Sequence, residues 1–393
     1  MKKNICVIAN GYAEEIMAAK LMTEIRKELQ IQKKLDKFQF VGGSLVSSGR
    51  WYYEEQFATF FTGGMTPSGG FPTRSIGGFL SDFNAGAFSI PFKFKDRIKE
   101  WSKYNLDIII VVGDFLLMAL TIPALKNNKN VPMVFIPTAK SDYIQSHFKI
   151  EKHFIKKYAT ISFPRDQSTA ADFAKFGINT QYYGNLMQDL LDHKTPLITS
   201  KIPVVALLPG SRDESYGNLE MMLYLLPFIK TPIHWAFVQA SSLKKETIGE
   251  VFLHKGWKCE NLDDEIPIWE KDSHQVYCYS SVMFDSVALS CIFALSLAGT
   301  AGEQIAGLGK PIIGFRGTGP QSTRRRMEDN AKLLGESFVF VENYPKAVIK
   351  EIDSLIHNSH ERNRLGTIGI SYMGEPGATK KIAQYIMNNL LSK

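Results

Sequence analysis

Ile292-Phe-Ala-Leu-Ser-Leu297, Ala298-Gly-Thr-Ala-Gly-Glu-Gln304 and Ile305-Ala-Gly-Leu-Gly-Lys-Pro-Ile-Ile-Gly314 form the stretch whose reading decides the fold. An apolar run is followed by small residues, a short helical segment, and Gly309-Lys-Pro leading into a second apolar run. This is a buried strand, a tight turn, a helix and another buried strand, the repeating unit of an α/β domain with a parallel sheet. Small residues at Gly299, Thr300, Ala301 and Gly302 let the backbone come close to a ligand. The N–H groups opening the next helix attract phosphate. Glu303 and Gln304, in the first helical turn, are placed to accept hydrogen bonds from sugar hydroxyls. The turn therefore predicts a cradle for a nucleotide diphosphate sugar. The alternative is an ordinary tight βα turn.

Working outward, the same unit recurs along all 393 residues. The chain opens with a strand at Ile5–Ala9, a loop at Asn10-Gly-Tyr12, and a helix with Met17, Leu21, Ile25 and Leu29 on one face. Further strands are predicted at Phe38–Val41, Ile108–Val112, Pro132–Ile136 and Thr160–Phe163, with a helix at Gln167–Phe176. Residues 42–87, rich in Gly, Ser and aromatics, read as a long loop region with room for short strands. Leu191–Ser200 is polar, contains Pro196 and reads as an interdomain link. A second series starts with the strand Val204–Leu208 and a helix near Leu219–Phe228. It continues through His234–Val238, Gln275–Cys278, Phe293–Leu297, Pro311–Phe315 and Phe338–Val341. A last helix spans about Ala378 to Leu391. Two α/β domains in tandem predict ligand sites at the carboxyl ends of the strands.

Composition sets limits. The longest apolar stretch, Ile108 to Leu125, holds Gly113, Asp114 and Pro123 and reads as strand, loop and helix rather than a membrane span. No secretory signal opens the chain, and the four cysteines show no ligand spacing. The expectation is a cytoplasmic protein with reduced thiols and no metal site. Residues 1–190 carry 24 Lys and Arg against 17 Asp and Glu, while the remainder carries 22 of each. Such an excess suits an anionic acceptor or membrane surface, or is a solvated basic face. Phe88–Trp101 alternates aromatic and basic residues. It reads either as a segment lying on an anionic membrane or as a core-packed helix with a wet basic face. The basic residues come without a recognisable nucleic-acid module.

Other candidates cluster at predicted strand ends. In Leu207-Leu-Pro-Gly-Ser-Arg-Asp-Glu214, Gly210 permits a tight turn, and Ser211 and Arg212 can bind phosphate or base. The alternative is a surface turn with a solvated Arg. In Gly317-Thr-Gly-Pro-Gln321, Gln321 can hold a sugar; Arg324-Arg-Arg326 beyond it reads as a solvated helix face or a phosphate contact. Asp114, ending an apolar strand, is either a general base or a helix N-cap. Glu14 and Glu15 open the first helix. At least one suits the dipole, and the other can face a ligand.

These motifs together resemble lipid A disaccharide synthase, and more closely the group called lipid-A-disaccharide-synthase-related. Leu207–Arg212 matches the family's Leu-Leu-Pro-Gly-Ser-Arg, and Gly299-Thr-Ala301 its Gly-Thr-Ala turn. Val112-Gly-Asp-Phe115 sits where the family has Asp-Phe after a buried strand. Tyr183-Gly-Asn185 with Asp189 matches a segment that ends the first domain. The related group is similar in Asn10-Gly-Tyr-Ala-Glu-Glu15, Pro67-Ser-Gly-Gly70, Ala298–Gln304, Gly319-Pro-Gln321 and Met373-Gly-Glu-Pro-Gly377. The resemblance implies a GT-B fold: two Rossmann-like doubly wound domains facing across a cleft, with the C-terminal helix crossing back to the first. On that reading residues 1–190 bind acceptor, 201–372 bind donor, and 373–393 form the returning helix. It implies an inverting, metal-independent transfer from a UDP-sugar to a lipid or amphiphilic acceptor, without a further cofactor. Asp114 is then catalytic with Glu15 in reserve. Gly11, Ser211, Arg212, Gly299, Thr300, Ala301, Gly302, Glu303, Gln304 and Gln321 line the substrate sites. The first loop departs from the synthase's Gly-Glu-Ala-Ser-Gly-Asp, so the lipid A precursor is not implied as acceptor. Two rivals stay open: a nucleotide-sugar epimerase or hydrolase of the same fold, and a non-catalytic nucleotide-sugar or lipid binder.

Overall fold

A computed structural model describes residues 2–63, 89–101, 106–125, 130–342 and 344–391. The chain divides into two compact units: Met1–Leu190 with Pro376–Lys393, and Leu191–Glu375. The segment read as an interdomain link thus belongs to the second unit.

The first unit runs β1 (Lys3–Ala9), α1 (Tyr12–Ile31), β2 (Phe38–Ser44), α2 (Arg50–Glu54), β3 (Ala58–Thr62), α3 (Ile90–Trp101), β4 (Leu106–Gly113), α4 (Phe115–Leu125), β5 (Met133–Pro137), α5 (Lys149–Tyr158), β6 (Ile161–Ser162) and α6 (Gln167–Phe176). Its sheet is ordered β3-β2-β1-β4-β5-β6, and every strand pair is parallel. Strands of this kind are covered on both faces, which is why β1 and β4 read as unbroken apolar runs. Alternate residues serve different cores. Ile5, Val7, Ile108, Ile110 and Val112 face the side covered by α1, while Cys6, Ile8, Ile109 and Val111 face the side of α3 and α4. Within residues 42–63 the chain forms short elements, including a strand of the kind the sequence left room for. β2 continues to Ser44, α2 and β3 follow, and Pro67–Gly70 lies outside the described residues.

The second unit runs β7 (Val204–Leu208), α7 (Glu214–Leu225), β8 (His234–Gln239), α8 (Lys245–His254), β9 (Ile268–Lys271), β10 (His274–Ser280), α9 (Phe284–Ser290), β11 (Phe293–Ser296), α10 (Thr300–Gly307), β12 (Ile312–Phe315), α11 (Arg324–Leu334), β13 (Phe338–Val341), α12 (Lys346–His357) and α13 (Ser359–Met373). The helix expected near Leu219–Phe228 starts five residues earlier, directly after the β7 loop. The sheet is ordered β13-β12-β11-β7-β8-β10-β9, parallel except for the antiparallel edge pair β10–β9.

The last helix, α14 (Ala378–Asn389), returns to the first unit. Its Ala378, Ile382, Ala383, Ile386 and Met387 join the core beneath α1. The carboxylate of Asp189 accepts from the backbone N–H of Gly377 and of Thr379 (2.6 Å), closing the open N-terminus of α14. Two sequence motifs, Asn185–Asp189 and Met373–Gly377, thereby meet in one capping interaction.

Strand order also fixes where ligands can enter. Each sheet reverses its winding once, between β1 and β4 in the first unit and between β7 and β11 in the second. The loops leaving neighbouring strands diverge at such a point and leave a crevice at the carboxyl ends.

Candidate functional site

In the second unit three loops converge at the reversal point. Leaving β7, Gly210 has φ +119°, a conformation that favours glycine, and an added Cβ would lie 2.7 Å from Ser215 Oγ. That hydroxyl accepts from the Arg212 N–H (3.1 Å), and Ser242 Oγ donates to the Ser211 carbonyl (2.6 Å). The backbone of Ser211 and Arg212 is therefore held while both residues stay exposed. Arg212 makes no side-chain hydrogen bond or ion pair with another described residue, leaving its guanidinium available to an anion.

Leaving β11, Gly299 caps α10 without a side-chain cap, and the space where its Cβ would stand is open. The first intrahelical bond is Glu303 N–H to the Gly299 carbonyl (3.0 Å), so the N–H groups of the first turn lack intrahelical partners. Thr300 is exposed and Ala301 half-buried. Gly302 lets α10 sit on β11, since a Cβ there would lie 3.2 Å from Ser296 Oγ. Glu303 is half-buried, at the surface of the turn. Gln304 is not: it is only 8% exposed and sits among the core-facing residues of α10. Its assignment to sugar binding is corrected accordingly.

Leaving β12, the Gly317–Ser322 loop is tied back by Asn218 of α7. Asn218 Nδ2 donates to the Pro209 carbonyl (2.9 Å), and its Oδ1 accepts from the Thr318 N–H (2.7 Å). Thr318 Oγ1 donates to the Glu214 carbonyl (2.9 Å). A Cβ on Gly317 would lie 2.3 Å from Asn218 Oδ1 and 2.7 Å from Leu297, so all three loops touch. Asn218, 1% exposed, is the organising residue that the sequence did not reveal. Gln321 Oε1 accepts from Arg326 Nη2 (3.3 Å), which orients the side chain and leaves its amide nitrogen and a second lone pair for a ligand. Arg324 pairs with Glu328 (2.9 Å) and Glu342 (2.8 Å), the helix-face reading of the arginine triplet.

In the first unit the loops after β1, β4 and β5 meet. Asn10 N–H donates to the Val112 carbonyl (3.2 Å), and Thr138 N–H to the Gly113 carbonyl (3.1 Å). Thr138 Oγ1 donates to Glu14 Oε1 (3.2 Å), and Arg165 donates to the Thr138 carbonyl (2.9 Å). Glu14 is held above its ordinary carboxyl pKa, chiefly by burial, with the charge of Asp114 adding to it. Asp114 Oδ1 accepts from the Leu117 N–H (2.9 Å), so Asp114 caps α4 with one oxygen and keeps the other. Gly11 leaves room beside this pair: a Cβ there would lie 3.4 Å from Glu14 Oε2.

Glu15, expected as the reserve catalytic residue, is fully buried. Its Oε2 accepts from Ser44 Oγ (2.5 Å) and the Gly49 N–H (3.1 Å), and its Oε1 from the Trp51 N–H (3.1 Å). That carboxylate anchors the loop between β2 and α2. The acidic residue beside Asp114 is Glu14, one position earlier.

The segment Ile90–Trp101 buries Phe94 and Ile98 against Phe60 and Phe61 of β3, so its apolar face is taken up by the core. Phe88 lies outside the described residues. Exposed apolar and basic residues gather instead at the start of α4 and along α5. Leu116, Phe148, Ile150 and Phe154 are exposed, and Phe154 meets the ring of Phe115 at 5.8 Å. Lys149, Lys156 and Lys157 stand among them.

Two Rossmann-like units with parallel sheets define the GT-B class of fold, and comparison with solved structures agrees. A Listeria monocytogenes protein assigned as a UDP-N-acetylglucosamine 2-epimerase superposes with TM-score 0.65 at 12% identity, covering 100% of this chain and 98% of that one. CalG4, the calicheamicin glycosyltransferase, gives 0.63 at 11%, covering 99% of each. The UDP-GlcNAc 2-epimerase of Neisseria meningitidis, solved with UDP-GlcNAc, gives 0.58 at 14%, covering 98% and 100%. No family profile and no curated protein matches the chain in sequence. Among the described residues no group of His, Cys, Asp and Glu could hold a metal ion, and no helix is long and apolar enough to cross a membrane.

Proposed function

We propose that the chain is a glycosyltransferase that takes a sugar from a UDP-linked donor to a lipid or amphiphilic acceptor, with inversion and without a metal, akin to the lipid-A-disaccharide-synthase-related group. The convergence at the β7–β11 reversal point carries this reading: exposed Arg212, the uncapped N-terminus of α10 and the open space at Gly299 stand on neighbouring loops. That set offers a cation and N–H groups to a diphosphate, and stabilises it as it leaves. Neighbours of the same fold bind UDP or UDP-GlcNAc, as their descriptions state.

In the first unit the carboxylate pair Glu14/Asp114 receives the proton of the acceptor hydroxyl. Burial and the neighbouring charge raise the proton affinity of Glu14, which suits a group that must take a proton near neutral pH. The exposed apolar and basic residues of α4 and α5 favour an amphiphilic acceptor presented at an anionic membrane surface. A thermal-shift panel of UDP, GDP, ADP and their sugar conjugates tests the donor reading. A ligand at one hundred times its Kd adds about 2.7 kcal/mol, readily seen as a raised melting temperature. A shift selective for UDP and one UDP-sugar is expected; no shift with any nucleotide refutes it.

The epimerase reading has its own support. Two neighbouring carboxyl groups, of which Glu14 is held above its ordinary pKa by burial, can remove and return a proton on a sugar carbon. Conversion of a UDP-sugar in the absence of any acceptor would decide for it.

A further inference from the structure

Away from the loops that hold the donor site, the second unit contains a cavity of about 520 Å³. It lies on one face of β8, β10 and β9. On β10, Cys278 faces α8 along with Trp269 of β9, whose ring stacks on Phe252 of α8 (4.6 Å). Tyr277 and Tyr279, alternating with Cys278, line the cavity together with Ile268 of β9 and His234 of β8. Leu197 and Ile198 form another wall, and Met283 closes the end nearest α9. This wall is fixed: the Ile198 N–H donates to Ser290 Oγ, and the Asp192 N–H to Asp285 Oδ2, both at 2.8 Å.

The chemistry of the lining selects its occupant. No Asp, Glu, Lys or Arg is among the lining residues. His234 is pushed down to about 4 by burial and is neutral at neutral pH. Its Nε2 bonds Tyr279 OH (2.8 Å), and Tyr277 OH donates to Gln275 (2.8 Å), so both tyrosine hydroxyls of the floor are already matched. Apart from the hydroxyls of Thr199 and Ser286, what remains is ring faces and aliphatic carbon. Water needs two to four polar partners and gains little here. A ligand that wants hydrogen bonds or charge gains little either. The floor is deep, with His234 and Tyr279 6% and 3% exposed, whereas Leu197 at the rim is 64% exposed. The volume falls within the range of small-molecule sites.

We propose that this cavity binds a single hydrocarbon chain, the tail of an alcohol, fatty acid or lysolipid, with the head group left at the Leu197–Ile268 rim. The proposal is independent of the donor reading, since none of the lining residues belongs to the donor loops.

The probe is 1-N-phenylnaphthylamine, a neutral dye that brightens in apolar surroundings, titrated into the full chain. Saturable binding is expected, displaced by dodecan-1-ol and by laurate but not by UDP. Lysophosphatidylcholine in place of laurate tells a lipid source from a free acid. Ser286→Trp fills the cavity, and Ile268→Glu places a charge on its exposed rim. Each should weaken the dye by about tenfold or more, the effect of losing roughly one buried apolar side chain. Ile268→Glu lies on an edge strand and should leave the unfolding midpoint unchanged, which guards against misfolding in the filled variant. Phe154→Asp, on the first unit, should leave dye binding intact. No saturable binding, binding that both cavity variants retain, loss only in Phe154→Asp, or displacement by UDP would each overturn the proposal. So would a dimer that Ile268→Glu breaks and that excludes the dye, because a second copy would then cover this face.

Discussion

Replacing Glu15 by Ala should cost stability while sparing the chemistry, and replacing Glu14 by Gln should do the reverse. The Glu15 carboxylate takes three hydrogen bonds, from Ser44, Gly49 and Trp51, at a site with no exposed surface. Hydrogen bonds to a charged group contribute about 1.5–3 kcal/mol each, and removing the acceptor leaves buried donors unmatched. Relaxation of the loop recovers part of the sum, so Glu15→Ala should lose about 3–5 kcal/mol from the first unit. For a unit of this size that corresponds to roughly 10 °C in melting temperature. Glu15→Gln keeps the shape but turns one acceptor into a donor, and should fall between. Differential scanning calorimetry of the full chain, with hydrogen exchange at residues 44–51, locates the loss. Turnover of the UDP-sugar, measured well below the variant's melting point, should stay within about twofold of wild type, as expected for a residue that only holds structure. A melting temperature within a degree or two of wild type, or turnover abolished in a fully folded Glu15→Ala, would refute the reasoning.

Burial makes the stability carried by Glu14 depend on pH. Its folded pKa lies above the unfolded value, so its contribution is fully present below the ordinary carboxyl pKa and is lost as pH rises through the raised one. Glu14→Gln should therefore gain stability over wild type as pH climbs from about 4 to neutrality; an advantage that does not vary with pH would show that burial does not perturb this group. His147 and His234 are both lowered to about 4, mainly by burial, so each unit should lose stability as pH falls from about 6.5 towards 4, where the unfolded chain takes up protons first. His147→Phe, followed by acid titration of the first unit's unfolding, should flatten that slope. Arg212→Ala should weaken a UDP-dependent thermal shift by about tenfold in apparent Kd without moving the unliganded melting temperature, because the side chain is exposed and makes no ion pair with another described residue. Asn218→Ala should do both: it frees the Pro209 carbonyl and the Thr318 N–H, costs about 1–3 kcal/mol, and lets the β7 and β12 loops separate, which isothermal titration with UDP would register as weaker binding.

How far such sites are legible in a sequence depends on whether the cause is local. Val204–Leu208 and Phe293–Ser296 could be read because central parallel strands are apolar on both faces, and the turns after them because small residues stand where backbone must come close. β9 escaped notice: Ile268–Lys271 is four residues long, and its antiparallel edge has no sustained pattern. The short helix α2 was hidden by a Gly- and aromatic-rich composition that left room only for short strands such as β3. Asn218 looks like any helix-interior Asn until two loops distant in sequence are seen to hang from it. Glu14 and Glu15 differ by one step around a helix, about 100°. Glu15 falls in phase with Ala18, Met22, Ile25 and Leu29, the buried stripe, a phase that could have marked it as the inward residue.

The capping of α14 by Asp189 bears on how the chain is made. The second unit is a continuous stretch inserted into the first, whose core lacks Ala378, Ile382, Ile386 and Met387 until residues 378–387 leave the ribosome. During synthesis the inserted unit has its whole sequence available first, while its host waits with an apolar groove beside α1. Residues 191–375 therefore make a contiguous fragment for expression alone, whereas a first-unit fragment needs a short linker that carries residues 376–391 back behind residue 190.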